Sequence, residues 1–181
     1  AFIQSVPTRT AGFASVSQSG LTNGSKLLAS MLMIIGGSPA GTAGGIKTTT
    51  VAVLLLTAIS VLRGNKDTEC YGRKITFEII RVGITITLVT FVFWLFGVTV
   101  MTVIEPQQKV LDLMFEATSA MATVGLTADL TPVLSDISHV VLMLMMYIGR
   151  IGPMTMALIF SGHVDKKNQF RTLPEAKIMV G

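Results

Sequence analysis

Phe2–Phe13 reads FIQSVPTRTAGF and Phe115–Leu126 reads FEATSAMATVGL. Laid on each other at an offset of 113 residues without a gap, Phe2 falls on Phe115, Thr10 on Thr123, Gly12 on Gly125, Ile35 on Ile148, Gly36 on Gly149 and Thr42 on Thr155. A match at fixed offset over that distance signals a repeated structural unit. Each copy sets a Thr-x-Gly-apolar element, Thr10-Ala11-Gly12-Phe13 and Thr123-Val124-Gly125-Leu126, after a short amphipathic stretch and before a long apolar one. That order is the pattern of a re-entrant pore loop.

Working outward, half of the residues are hydrophobic and 13% are charged, with a mean hydropathy of +0.67. Such a balance argues against a water-soluble globular domain. Val82–Ile104 carries no charged residue, and as a helix it extends about 34 Å, enough for a hydrocarbon core of about 30 Å. Ile137–Phe160 reads as a second span, interrupted by His139 and Arg150. Leu27–Leu62 is too long for one span and is broken centrally by Gly36-Gly37-Ser38-Pro39-Ala40-Gly41-Thr42-Ala43-Gly44-Gly45. Glycine fills half of that segment and Pro39 removes a donor, so a regular helix does not continue through it.

The sequence divides into 1–62, a partial pore unit with a broken second helix, a 63–78 loop, a second unit over 79–163, and a tail over 164–181. Thr76–Ile104 is the incoming helix of the second unit, Gln108–Met121 its short pore helix with acids on the face opposite its apolar residues, and Thr123–Thr127 its loop. The fold class is all-α, with tandem helix–pore-loop–helix units. Ala1 lies inside the first motif, so the helix expected before it is missing and the chain reads as a fragment. That missing start prevents any conclusion about a signal peptide.

Charge is distributed unevenly. Arg63, Lys66, Arg73 and Lys74 lie in the 63–78 loop and Lys166, Lys167, Arg171 and Lys177 in the tail, whereas Glu105–Asp136 carries Lys109 against Glu105, Asp112, Glu116, Asp129 and Asp136. The positive-inside rule places the loop and tail in the cytoplasm and the Thr-x-Gly loops outside. A nucleic-acid surface lacks its aromatic platforms. The lone Cys70 excludes an internal disulfide and disfavours a cysteine metal site.

Irregular backbone at membrane depth must line protein or a water-filled path. A glycine in each loop lets successive peptides aim carbonyls at one axis and replace the hydration shell of a monovalent cation. Thr10, Ala11, Gly12, Phe13 and Thr123, Val124, Gly125, Leu126 are the candidate ion ligands. The glycine-rich break, with Gly36, Gly37, Ser38, Pro39, Gly41, Gly44 and Gly45, reads as a gate beneath them or as a packing kink. As a phosphate-binding loop it fails, because Ile46 separates Gly45 from Lys47 and no strand precedes it. Lys47 suits the cytoplasmic edge of the resumed helix. Arg150, aligned with Gly37, is a charge within an apolar span and a functional candidate on that ground, either donating to gate carbonyls or tied into a static network. Arg9 braces the first loop, Asp129 is a cation-concentrating or merely solvated rim acid, and His139 and His163 are interfacial.

SVPTRTAGF (Ser5–Phe13), IGGSPAGTAGGIKTTT (Ile35–Thr50), ATSAMATVGLT (Ala117–Thr127) and YIGRIGP (Tyr147–Pro153) resemble the Trk/Ktr/HKT superfamily of potassium-translocating subunits, most closely the Ktr type. The resemblance covers nearly the whole chain. It implies four units around one pore, of which this chain holds most of the third and all of the fourth. It also implies potassium uptake at the cell membrane, passive or sodium-linked, with an intramembrane loop obstructing the cytoplasmic side. The expected partners are a second copy in a homodimer and a cytoplasmic ring of nucleotide-binding (RCK-type) regulatory subunits; no cofactor is expected in this chain. Two other classes stand against it. A carrier with discontinuous helices binding a small solute pairs inverted rather than parallel repeats. An enzyme lacks its residues, since there is no HExxH, no Ser-His-Asp set and no pair of buried carboxylates.

Overall fold

The computed structural model describes residues 7–8, 12, 18, 20–38, 44–65, 67–70 and 72–152. Among them are five α-helices: α1 (Asn23–Ile34), α2 (Thr48–Leu62), α3 (Phe77–Ile104), α4 (Val110–Met121) and α5 (Asp136–Ile151). A two-residue hairpin, β1 (Glu69–Cys70) with β2 (Arg73–Lys74), interrupts the loop between α2 and α3.

The 28-residue α3 is the one helix among the described residues long and apolar enough to cross a membrane. Its threonines do not contradict that. Thr85, Thr87, Thr90, Thr99 and Thr102 each donate the hydroxyl to the carbonyl four residues back, which satisfies the polar atom within its own helix. The helix ends at Glu105 (φ −117, ψ 66), because Pro106 disfavours helical backbone at the residue before it.

The short α4, about 18 Å at helical rise, is the hub on which α1, α3 and α5 pack. Leu113, Phe115, Ala117 and Thr118 are wholly buried on it. Its polar side chains are partnered: Trp94 of α3 donates Nε1–H to Thr118 Oγ1 at 2.9 Å, and Thr118 donates onward to the Met114 carbonyl at 2.6 Å. Gly97 lets α3 cross α5 closely, since a Cβ there would fall 2.4 Å from the Met145 sulfur. Buried Lys26 of α1 reaches Asp112 of α4 at 2.7 Å, a pair 86 residues apart in sequence.

The long apolar stretch 27–62 is broken as expected, and the break has a built neck. The Gly36 N–H donates to the Ile46 carbonyl at 2.9 Å, Ile46 N–H to Ile34 at 3.0 Å and Thr48 N–H to Gly37 at 3.3 Å, with a parallel bridge between Ile35 and Ile46. The chain therefore leaves α1 and re-enters α2 at one point. Gly36 sits inside that neck, where a Cβ would lie 2.1 Å from the Gly44 carbonyl oxygen.

Of the span expected over 137–160, Asp136–Ile151 is helical and ends at Gly152 (φ +85); residues 153–160 lie outside the described residues. Pro153 follows, and the residue before a proline is pushed out of the helical region. The acids expected opposite the apolar face of α4 include Glu116, which is buried to 4% exposure.

Candidate functional site

The second Thr-x-Gly loop grows directly from the C-terminus of α4. Thr123 N–H returns to the Ala120 carbonyl at 3.1 Å and Val124 N–H to Ser119 at 2.9 Å, so the last helical turn dictates where the loop begins. Thr123 holds φ +53 and Gly125 φ +85. Val124 and Leu126 are buried to 3% and 4% exposure while Gly125 is exposed. The flanking side chains are thus packed inside while the glycine between them is exposed. A helix C-terminus carries partial negative charge, which suits a cation beside this loop.

Of the first loop, Gly12 is described; Arg9, Thr10, Ala11 and Phe13 lie outside the described residues. Gly12 has φ +71, the same left-handed backbone as its counterpart Gly125. The two loops meet. A Cβ on Gly12 would lie 2.8 Å from the Val124 carbonyl oxygen, and one on Gly125 would lie 4.0 Å from the Gly12 Cα.

Behind the second loop stands Glu116. Its Oε1 accepts from the Thr127 hydroxyl and from the Ala128 N–H at 3.0 Å, and its Oε2 accepts from the Thr131 hydroxyl at 3.1 Å. A buried carboxylate needs such donors, and in return it fixes the strand of chain leaving the loop. The sequence reading counted this acid on the outer rim; the signal available was its place beside Phe115, with Thr127 and Thr131 downstream. His139, read as interfacial, packs its Nε2 3.0 Å from the Thr131 carbonyl and belongs to the same outer corner.

The expected gate residues divide. Pro39 and Gly41 lie outside the described residues, whereas Gly36, Gly37, Ser38, Gly44 and Gly45 are described. Gly44 reaches the second loop itself: its N–H donates to Thr123 Oγ1 at 3.0 Å, and a Cβ on it would lie 2.8 Å from the Ala122 carbonyl. Thr123, expected among the ion ligands, thus also anchors the glycine-rich segment. Arg150 occupies the exposed face of the last turn of α5, next to Gly149, whose Cβ would fall 2.0 Å from the Met121 carbonyl. The loop carbonyls expected to receive Arg150 belong largely to 39–43, outside the described residues.

At the C-terminal end of α3 Glu105 accepts from Ser135 N–H at 2.8 Å and from Ser138 Oγ at 3.0 Å. The Ser135 hydrogen bonds, then Ser138, hold its carboxyl below the usual carboxylate range. Asp129, exposed, adopts φ +61. Among the described residues there is no group of three His, Cys, Asp or Glu side chains able to hold a metal ion.

Residues 1–171 match the family described as TrkH, cation transport protein. The Ktr system potassium uptake protein B of Bacillus subtilis is 36% identical over 180 residues, covering 99% of this chain and 40% of that protein. The potassium/sodium uptake protein NtpJ of Enterococcus hirae is 35% identical over 99% of this chain and 41% of its own length. The Ktr system potassium uptake protein D of Bacillus subtilis is 32% identical over 98% and 39%. The chain therefore spans about two fifths of the length of these relatives.

Proposed function

Because this chain belongs to the TrkH cation transport protein family, we propose that it is the back half of a potassium uptake pore in the cell membrane, a transport protein rather than an enzyme. Residues 1–62 and 79–163 serve as the third and fourth helix–pore-loop–helix units, with α4 as a pore helix. Backbone carbonyls of Thr10–Phe13 and Thr123–Leu126 replace the water of a potassium ion on the outer side. The 36–45 loop, with Gly36, Gly37, Ser38, Pro39, Gly41, Gly44 and Gly45, obstructs the path below, and Arg150 at the same depth hinders cations and donates to loop carbonyls. The 63–78 loop and the 164–181 tail face the cytoplasm.

The observation that carries this reading is the meeting of Gly12 and Gly125, both left-handed, with Gly125 exposed between two buried side chains. Two loops 113 residues apart with the same backbone at the same point are what a shared ion path requires. The names of the relatives add the rest: potassium, and for one of them sodium, as the ion taken up, and a multi-component Ktr system. From the family resemblance we further propose a homodimer bearing a cytoplasmic ring of nucleotide-binding regulatory subunits, with sodium as a coupled or activating ion.

The test is rubidium against sodium uptake by the full-length protein in proteoliposomes, with Gly125→Ala. Space for the methyl group exists, since the nearest described atom is 4.0 Å from the Cβ position, so the effect comes from φ +85 alone. The strain is about 1 kcal/mol, applied to the carbonyls that select the ion. Discrimination between the two ions is expected to fall about fivefold; unchanged discrimination sinks the assignment of this loop as the filter.

A further inference from the structure

Between the neck of the 36–45 loop, the middle of α3 and the end of α4 lies a cavity of about 490 Å³, within the roughly 300–1,000 Å³ range of small-molecule sites. One wall is α3, through Ile84, Leu88, Phe91 and Trp94; Leu54 of α2 stands opposite. Gly45 and Ile46 of the neck and Met121 and Ala122 at the base of the second Thr-x-Gly loop close the inner end.

The chemistry of the wall selects its occupant. No lining residue is charged. The hydroxyls of Thr87, Thr90 and Thr118 donate to the carbonyls of Gly83, Ile86 and Met114, and the Trp94 N–H donates to Thr118. Every side-chain donor on the wall is therefore committed, and water, which needs two to four polar partners, is poorly held. The cavity opens along the membrane-length helix α3. Ile84 and Trp94 lie about 10 Å and 26 Å along the membrane-length helix α3, and Ile84, Leu88 and Phe91, at 52%, 59% and 54% exposure, form an apolar strip at helical spacing that leads inside.

We infer that an acyl chain of a membrane lipid enters between α2 and α3 and fills this cavity, its end resting on the neck at Gly45 and Ile46. The occupant is hydrocarbon because that is what surrounds a membrane-length helix at this depth. Its presence there buttresses the point at which the glycine-rich loop leaves the helices. The site does not depend on which ion the protein carries.

The test uses the full-length transporter with every tryptophan except Trp94 changed to phenylalanine, reconstituted in phosphatidylcholine vesicles with or without bromine atoms at mid-chain. Bromine quenches indole on contact, and Trp94 lines the cavity. Its emission is expected to fall to less than half in brominated vesicles. Thr90→Leu, which adds bulk to the wall, and Ile84→Phe, on the exposed rim where folding is not at risk, are expected to reduce the quenched fraction at least twofold. No quenching in the parent means that a second copy or another segment of the transporter covers the cavity, and overturns the inference. Quenching unchanged in both filled variants means that bromine reaches Trp94 only from bulk lipid, and also overturns it. Rubidium uptake by the same preparations reports on the ion-transport reading separately.

Discussion

Gly36 and Gly149 are equivalent in the repeat, and both stand where a Cβ would collide with a carbonyl oxygen, at 2.1 Å and 2.0 Å. Their partners differ. Gly36 is pressed against Gly44, the returning limb of its own loop, whereas Gly149 is pressed against Met121, the end of the pore helix. The same residue at the same repeat position thus packs against its own loop in one unit and against the end of α4 in the other. In the third unit the helix stops at Ile34 and the chain detours before α2; in the fourth, α5 continues through Gly149 and Arg150 to Ile151. Sequence identity at a repeat position preserves the need for a missing side chain, while the surrounding chain decides what fills the space.

The sharpest way to break that comparison is to add a methyl group at each position. Gly149→Ala and Gly36→Ala both force backbone against backbone, an overpacking cost of about 1–3 kcal/mol or more. In Gly149→Ala the loss is expected in rubidium-over-sodium selectivity, since the pore-helix end moves. In Gly36→Ala selectivity should persist while the closed-state leak rises several-fold. Identical phenotypes in the two variants, measured as uptake in vesicles, would collapse the distinction.

Next in size is Glu116→Ala, which strands three donors, Thr127, Ala128 and Thr131, of the fourth unit only. Buried donors left unpaired cost about 1–3 kcal/mol each before relaxation. A Tm lowered by several degrees in detergent, together with weakened ion selectivity, is the expected outcome. The third unit has Ile3 at the equivalent position, a residue with no carboxylate.

Thr123→Val removes the one hydrogen bond by which Gly44 holds the second loop, worth about 1 kcal/mol. The expected result is an approximately fivefold change in resting uptake with selectivity little altered; an unchanged resting rate would show that gate and filter move independently. The smallest effect belongs to Glu105→Gln. The Ser135 hydrogen bonds, followed by Ser138, depress the Glu105 carboxyl, so its stabilising contribution is present at neutral pH and is lost as pH falls through that depressed value. The parent Tm is expected to drop on acidification below the usual carboxylate range, and the Gln variant should show a shallower drop in a melting series over pH.

Much of the architecture is legible in the sequence. The span Val82–Ile104 declares itself by the absence of charge, the break at 36–45 by glycine and Pro39, and the ends of α3 and α4 by Thr76, Pro106 and the Thr-x-Gly element. The helix ends fall one or two residues from the expected ones, as fraying and capping permit. The depth of a polar residue was not legible. Glu116 and Asp112 count as outer acids by position, yet the donors that bury one and the Lys26 ammonium that pairs the other come from segments whose proximity is a tertiary fact. The stop at Gly152 was readable from Gly152-Pro153, but the run of apolar residues on either side masked it. The first Thr-x-Gly loop was assigned through its repeat, and of it Gly12 alone is described within that element.

The bridge between Ile35 and Ile46 has a consequence for how such a protein changes over time. Because the detour begins and ends at one pair of hydrogen-bonded residues, insertions, deletions or wholesale replacement between those points need not move either flanking rod. The segment is in effect an exchangeable cartridge on an unchanging mount, restrained at Gly44 by its hydrogen bond to Thr123 of the second Thr-x-Gly loop.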